Sequence, residues 1–384
     1  MVQNPRNSMV VILSTVLAGS LLLASTVTSA TPEIQGSKKE RKCYKCDGTG
    51  KIESKTPPDP TFLYDSEFIR SDADSGVGFS VCPRTPTEAA KEEYEEIKTR
   101  NLKWLEKVEK FEEAVGDKAA AVEVEHLSVF LAMEKIKVDG KKLPRARAAR
   151  RYAQFLSKAY DRYREVMGVE GTERGSKMRV VITKNQDAFS KYLKKYFGRG
   201  SQSSAGQKMG GSTFEFSTRK GNETDEDVEQ RIVYSLGYLF VHKYYKAVTL
   251  PAWLHIGFGS WLEHDTYGSN KNFSFVEVPP DDEYKSGNDW RKRIKREVAT
   301  GNIIQLAEIH DRDLNAFGYR DSAYAFTYVD FLIAHDQELF RKLLQRIKSQ
   351  PSDDQNTMKA VLEVYGWLPA ELNQAWRDWV KRKY

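Results

Sequence analysis

Histidine and cysteine are scarce in this chain, at six and three among 384 residues. Few side chains are therefore available for transition-metal or nucleophilic chemistry. The histidines, at 126, 242, 255, 264, 310 and 335, form no Ser-His-Asp or Cys-His arrangement with a local signature. Charge of one sign is also lacking. Lys and Arg number 60 against 54 Asp and Glu, interspersed along the chain, which predicts an ordinary solvated surface and no nucleic-acid binding. After residue 23 no stretch is apolar enough to cross a bilayer.

The first thirty residues have a pattern of their own. Arg6 is followed by an apolar run from Met9 to Leu23 and by Thr28-Ser29-Ala30 before Thr31-Pro32. A short apolar core ending at small residues predicts a signal peptide over 1–30, and hence an exported protein with no membrane attachment after cleavage. Removing that segment, which holds one Arg and no acid, leaves a formal charge one lower than the +6 of the whole chain. At this length the chain can bury one large core or two smaller ones.

Residues 31–85 form a cysteine-containing, loop-rich segment. Lys51 to Thr85 is rich in Pro, Ser, Asp and Gly and shows no apolar periodicity, which predicts loop or linker. Residues 86–118 predict a charged helix or linker, with a helix over Pro86 to Val115. Tyr94, Ile97, Trp104, Leu105, Val108 and Phe111 mark one side of it as packed. From 119 to 384 the pattern is that of a mixed domain. A strand is expected over Val122 to Ala132, a helix over Leu143 to Met167, a strand over Met178 to Thr183 and a helix over Phe189 to Phe197. Gly210 to Ser217 alternates around Phe214 and Phe216, as an edge strand does. Thr224-Asp-Glu-Asp227 is a capping box at the head of a helix. Further helices are expected over Trp290 to Ala299, Ser322 to His335, Glu338 to Ser349, Thr357 to Tyr365 and Pro369 to Lys383.

Cys43-Tyr-Lys-Cys46-Asp-Gly48-Thr-Gly50 has the C-x-x-C-x-G-x-G form and resembles the cysteine-rich repeat of DnaJ-type chaperones, in which glycines let the chain turn tightly around thiolate-bound zinc. A full site of that kind needs a second C-x-x-C, and Cys82-Pro83-Arg84-Thr85 ends in threonine. Two alternatives stay open: zinc held by Cys43, Cys46 and Cys82, or a Cys43–Cys46 disulfide that leaves Cys82 over.

Residues 231–240 read R-I-V-Y-S-L-G-Y-L-F, and Leu250-Pro251-Ala252-Trp253-Leu254 leads into H-I-G-F-G-S-W-L-E, ending at Glu263. The pair resembles the core of the gluzincin peptidase MA-like family, where H-E-L-x-H on one helix is followed by P-x-W-L-x-E-G-x-A-E on the next. The resemblance implies an α+β fold, a zincin-like (thermolysin-type) domain with a small mixed sheet, an active-site helix pair and C-terminal helices. It also implies that the metal-binding and catalytic positions fall on Tyr234, Ser235, Tyr238 and Ile256, with Ser260 at the place of a second acid. None of these suits zinc hydrolysis. Tyrosine, with an ordinary pKa near ~10, is a poor zinc ligand at neutral pH, serine is not a general base, and isoleucine offers the metal nothing. Two tyrosines at i and i+4 on an apolar helix are equally well core packing.

The expectation is thus an exported, catalytically inactive metallopeptidase-like protein with no cofactor in its peptidase-like part. It would hold a peptide or protein partner in the former cleft, lined by Phe214, Phe216, Trp253 and Trp261. In the resembled family, the strand corresponding to 210–217 lies across that cleft and pairs with substrate backbone. An active zinc-dependent peptidase or hydrolase with an unrecognised site is the alternative, and a scaffold for the cysteine segment is a third. His255 and His264, nine residues apart, fall on roughly opposite faces of one helix, so a metal shared between them is not expected.

Overall fold

A computed structural model describes residues 43–53, 63–65, 77, 79–138, 140–168, 177–198, 206–209, 212–218, 223–245, 251–272, 284, 290–351 and 356–384. The signal peptide expected over 1–30 lies outside the described residues. No helix among those described is long and apolar enough to cross a membrane.

The fold is α+β, with most of its residues in helices. Strands β1 (Lys51–Glu53) and β3 (Phe79–Val81) form an antiparallel ribbon with Ile52 opposite Ser80. Short β2 (Leu63–Asp65) joins the main sheet. The segment over 51–85, expected as loop or linker, therefore contributes three strands. Their brevity hides them from any periodicity test. Helix α1 (Glu88–Val115) begins where the Thr87 side chain accepts from the Ala90 N–H. It ends at Gly116, in the left-handed region, whose N–H returns to the Glu112 carbonyl.

Next come β4 (Ala120–Glu123), β5 (Leu127–Ala132), β6 (Lys135–Val138), β7 (Lys141–Pro144) and α2 (Arg145–Met167). The single strand expected over 122–132 is two strands, turned at Val124-Glu125-His126 with the Val124 N–H on the Leu127 carbonyl. Strands β6 and β7 make a separate hairpin that the sequence analysis missed. Its signal is the Asp139-Gly140 pair between Val138 and Lys141, with Gly140 at φ 75°. Strand β8 (Met178–Thr183) and helix α3 (Gln186–Phe197) follow, then β9 (Gly206–Met209) and β10 (Ser212–Thr218).

The main sheet is mixed, in the order β2-β4-β5-β8-β10-β9. β8 runs parallel to both β5 and β10, and β9 runs antiparallel to β10. Strand β10, expected at the edge, is interior. The edge is β9, whose register places Gly206 opposite Glu215 and Met209 opposite Ser212. Its Gly-Gln-Lys-Met sequence has no apolar alternation to betray a strand.

Period-two alternation sends Val122, Val129, Leu131, Val180 and Ile182 to one face, where they join a large core with α2. Ala121, Phe130, Ala132 and Val181 point to the other face, against α1 and α3. There Phe111 of α1 meets Phe130 at 5.5 Å and Tyr192 at 5.4 Å between ring centroids. The packed side expected for α1 is thus present, and the helix belongs to the sheet's core. Replacing Phe111 with alanine is expected to cost about 3–4 kcal/mol, read by urea denaturation. A loss under about 1 kcal/mol would mean that α1 is not anchored there.

The second half is helical: α4 (Asp225–Tyr245), α5 (Ala252–Tyr267), α6 (Trp290–Thr300), α7 (Leu306–Ile309), α8 (Tyr319–His335), α9 (Gln337–Ser349), α10 (Thr357–Tyr365) and α11 (Pro369–Lys383). The expected capping box heads α4: the Thr224 N–H and hydroxyl both donate to Asp227 Oδ2, and the Asp227 N–H donates back to Thr224 Oγ1. Helix α5 lies between α4 and α8, and every residue from Ala252 to Glu263 is buried.

Candidate functional site

Helices α4 and α5 cross where side chains are smallest. A Cβ on Gly237 would lie 2.9 Å from the Gly259 Cα, and one on Gly259 would lie 2.9 Å from the Tyr234 carbonyl oxygen and 3.3 Å from its ring. One turn further along, Tyr238 stacks on His255 with centroids 4.6 Å apart and planes 11° from parallel. Ile256 lies on the stretch of α5 between these two contacts. The crossing therefore brings Tyr234 and Tyr238 onto the stretch of α5 that also carries Ile256. It also packs that stretch closely: Tyr234 is 3% exposed and Ile256 wholly buried. Ser235 is half-buried. Burial pushes the Tyr238 hydroxyl up to about 12, so it stays neutral and offers a metal little.

The two tryptophans of the expected cleft are packed among helices. Trp253 is wholly buried and its indole N–H donates to Thr357 of α10 at 3.3 Å, so it belongs to the core between helices. Trp261 is 4% exposed, against Phe258, with the Arg162 guanidinium 5.2 Å from its ring centre. Neither tryptophan lines an open cleft. The backbone at Phe214 and Phe216 sits in interior strand β10. His255 faces α4, whereas His264 stacks on Phe326 of α8 at 5.3 Å, on opposite sides of the helix as their spacing predicts. The side chain of His242 lies outside the described residues.

Beside this crossing lies a buried carboxyl, Glu263, which the sequence analysis noted only as the end of the second motif. Glu263 is 0% exposed; its Oε1 accepts from the Lys271 N–H at 2.9 Å and from the Asn272 amide at 2.7 Å. Close by, the Asn270 amide donates to the Ser260 carbonyl and the Gln230 amide to Ser269. Burial outweighs these donors and raises the Glu263 carboxyl to about 8. The folded state therefore holds a proton that the unfolded chain releases near pH 4.5. Below that value both states are protonated and nothing is lost. As pH rises from about 4.5 to 8 the unfolded state gains, and the native state loses stability. Glu263→Gln is accordingly expected to match the parent near pH 4 and to exceed it by roughly 4 kcal/mol at pH 8, in urea titrations at both values. A constant difference across that range would contradict a neutral buried acid.

The cysteines form the second site. Cys43, Cys46 and Cys82 are all buried, and their sulfurs lie within 4.8 Å of one another. The group could hold a metal ion. Two turns build it. In the first, the Asp47 and Cys46 N–H groups both reach the Cys43 carbonyl, and Asp47, Gly48 and Gly50 take positive φ. At Gly50 a side chain would strike Thr87, so glycine is required on space as well as on conformation. In the second, the β1–β3 ribbon brings Cys82 beneath the first turn, its N–H on the Gly50 carbonyl at 2.8 Å. Thr85 takes part as well: its hydroxyl is 3.0 Å from the Cys46 sulfur and 3.5 Å from that of Cys82. Hydrogen bonding from Thr85, side chain first and then backbone, draws the Cys82 thiol down to about 6.

The cysteines carry no disulfide. The alternative of a Cys43–Cys46 disulfide is thus not what the structure holds; the Cys43 and Cys82 sulfurs approach to 3.7 Å. No protein-family model matches the chain, and no curated protein matches it.

Proposed function

We propose that this is an exported, catalytically inert metallopeptidase-like protein that holds an extended peptide along strand β9 and carries zinc on Cys43, Cys46 and Cys82. The observation that supports inertness is the packed helix crossing. Tyr238 lies on His255, Gly259 under Tyr234, and Ile256 is shut off from solvent at the positions where the resembled peptidases keep ligands and a water. In that scheme the strand that pairs with peptide backbone is β9, the edge of the sheet beside β10, whereas Trp253 and Trp261 stabilise the helices.

Three measurements on the purified mature protein test this. Metal analysis is expected to give one zinc per chain, lost in a Cys43→Ser, Cys46→Ser variant, with no hydrolysis of labelled casein. Casein hydrolysis that a chelator abolishes would establish the active alternative instead. Hydrogen exchange at 206–209 is expected to slow when casein-derived peptides are added. Unchanged exchange there would remove the peptide-holding role.

A further inference from the structure

At the cysteine site three buried sulfurs lie within 4.8 Å of one another, with the Thr85 hydroxyl beside two of them. Tetrahedral zinc with bonds of ~2.3 Å to sulfur sets its thiolates about 3.8 Å apart, and an oxygen ligand at ~2.1 Å lies about 3.5 Å from each sulfur. Cys43 and Cys82 are 3.7 Å apart, and Thr85 Oγ1 is 3.5 Å from Cys82 Sγ. The shorter 3.0 Å approach of the same hydroxyl to Cys46 is a hydrogen-bond distance. Thr85 thus stands beside the fourth corner, as a hydrogen-bond partner of the sulfurs and not as a ligand. A neutral alcohol is a far weaker zinc donor than thiolate, imidazole or carboxylate. Accessibility is graded in the same direction: the three cysteines are buried, whereas Thr85 is half-exposed.

We infer that the metal at this site keeps its fourth position open on the Thr85 side, and that this position takes a small external thiol in exchange for water. This rests on the zinc assignment proposed above and adds an exchangeable ligand to it. Structural zinc sites are closed by four protein ligands, whereas sites with three protein ligands leave a position for an incoming molecule. Entry is balanced simply: the thiol loses its proton to solvent, its sulfur binds the metal, and the bound water leaves.

Cobalt(II) reconstitution of the full mature chain tests the assignment, with 2-mercaptoethanol as the probe. Loading is expected to give a sulfur-to-cobalt absorption band. Added 2-mercaptoethanol should shift the visible bands and raise the sulfur-to-cobalt intensity by about one third, as three thiolates become four. Thr85→Cys closes the corner, so this variant should bind zinc at least ~10-fold more tightly and show no response to the thiol. Thr85→Ser keeps the hydroxyl and should respond as the parent does. A parent spectrum that forms but ignores 2-mercaptoethanol would overturn the open position while leaving the metal site intact. Failure of the folded parent to take up either cobalt or zinc would overturn the metal assignment itself, and the open position with it.

Discussion

Gly257→Ala is expected to destabilise the protein by about 2–3 kcal/mol, although the same change in an ordinary helix stabilises by about 1 kcal/mol. The sign reverses because α5 lies against α8 on the side opposite α4. A Cβ at Gly257 would fall 2.6 Å from the Ala325 carbonyl oxygen and 2.7 Å from a methyl of Val329. The carbonyl belongs to a helix whose residues from Ser322 to Ile333 are all buried, so there is no space for α8 to retreat into. One turn away the opposite result is expected. The Ser260 hydroxyl is buried and has no hydrogen-bond partner among the described residues, so Ser260→Ala should be neutral or stabilising by up to ~1 kcal/mol. Both variants are read by urea denaturation of the protein. A stabilised Gly257→Ala would mean that α5 and α8 are not packed this closely, and the sandwiched position of the candidate site would be lost with it.

The difference between those two residues shows what the sequence could and could not convey. Elements with a local signal are legible: the Thr224–Asp227 box, the β-branched run at 178–183 and the C-terminal helices stand where the sequence places them. The opposite orientation of His255 and His264 follows from helix geometry alone. The direction faced by Trp253 and Trp261 does not. Helix α5 is apolar on every side, so no amphipathic stripe distinguishes a wall open to a cleft from a face pressed on a neighbour. Strand order failed for a related reason. Phe214 and Phe216 alternate strongly, yet β9, with no such pattern, covers β10 over Ser212–Glu215 and takes the edge.

Glu263 was hidden differently. Its burial depends on Lys271 and Asn272 folding back over the end of α5, a long-range closure with no signature in the helix itself. At the cysteine site the spacing gave the first turn, but only the β1–β3 ribbon explains how Cys82 and Thr85, some forty residues on, come to share it. Three-residue strands carry that closure, and strands so short leave almost no trace in a pattern of side chains.

Restoring the expected ligands, Tyr234→His, Tyr238→His and Ile256→Glu together, should give a protein that is weak without metal and is strengthened by zinc. Position 256 is wholly inaccessible, so a carboxyl there without a partner costs several kcal/mol, on the order of 3. Zinc would reverse part of that loss, because three ligands converging on one ion turn binding free energy into stability: at a free concentration 100 times the dissociation constant the gain is about 2.7 kcal/mol. In a domain of this size that corresponds to roughly 5–10 °C in Tm. The contacts of Gly259 with Tyr234 and of Tyr238 with His255 locate the three positions on one stretch of the crossing, which is the geometric premise. His255 would lose its stacked ring, and Ser260 supplies no acid to orient a ligand. Affinity is therefore expected about 10- to 100-fold below that of a supported site. Adding Ser235→Glu supplies a general base and with it weak peptidase activity. The parent serves as control: with zinc at the cysteines as proposed, the variant should take up two equivalents where the parent takes one. A folded triple variant with no second equivalent and no zinc-dependent rise in Tm would mean that these side chains do not converge, and the likeness of this helix pair to a peptidase core would then be one of sequence only.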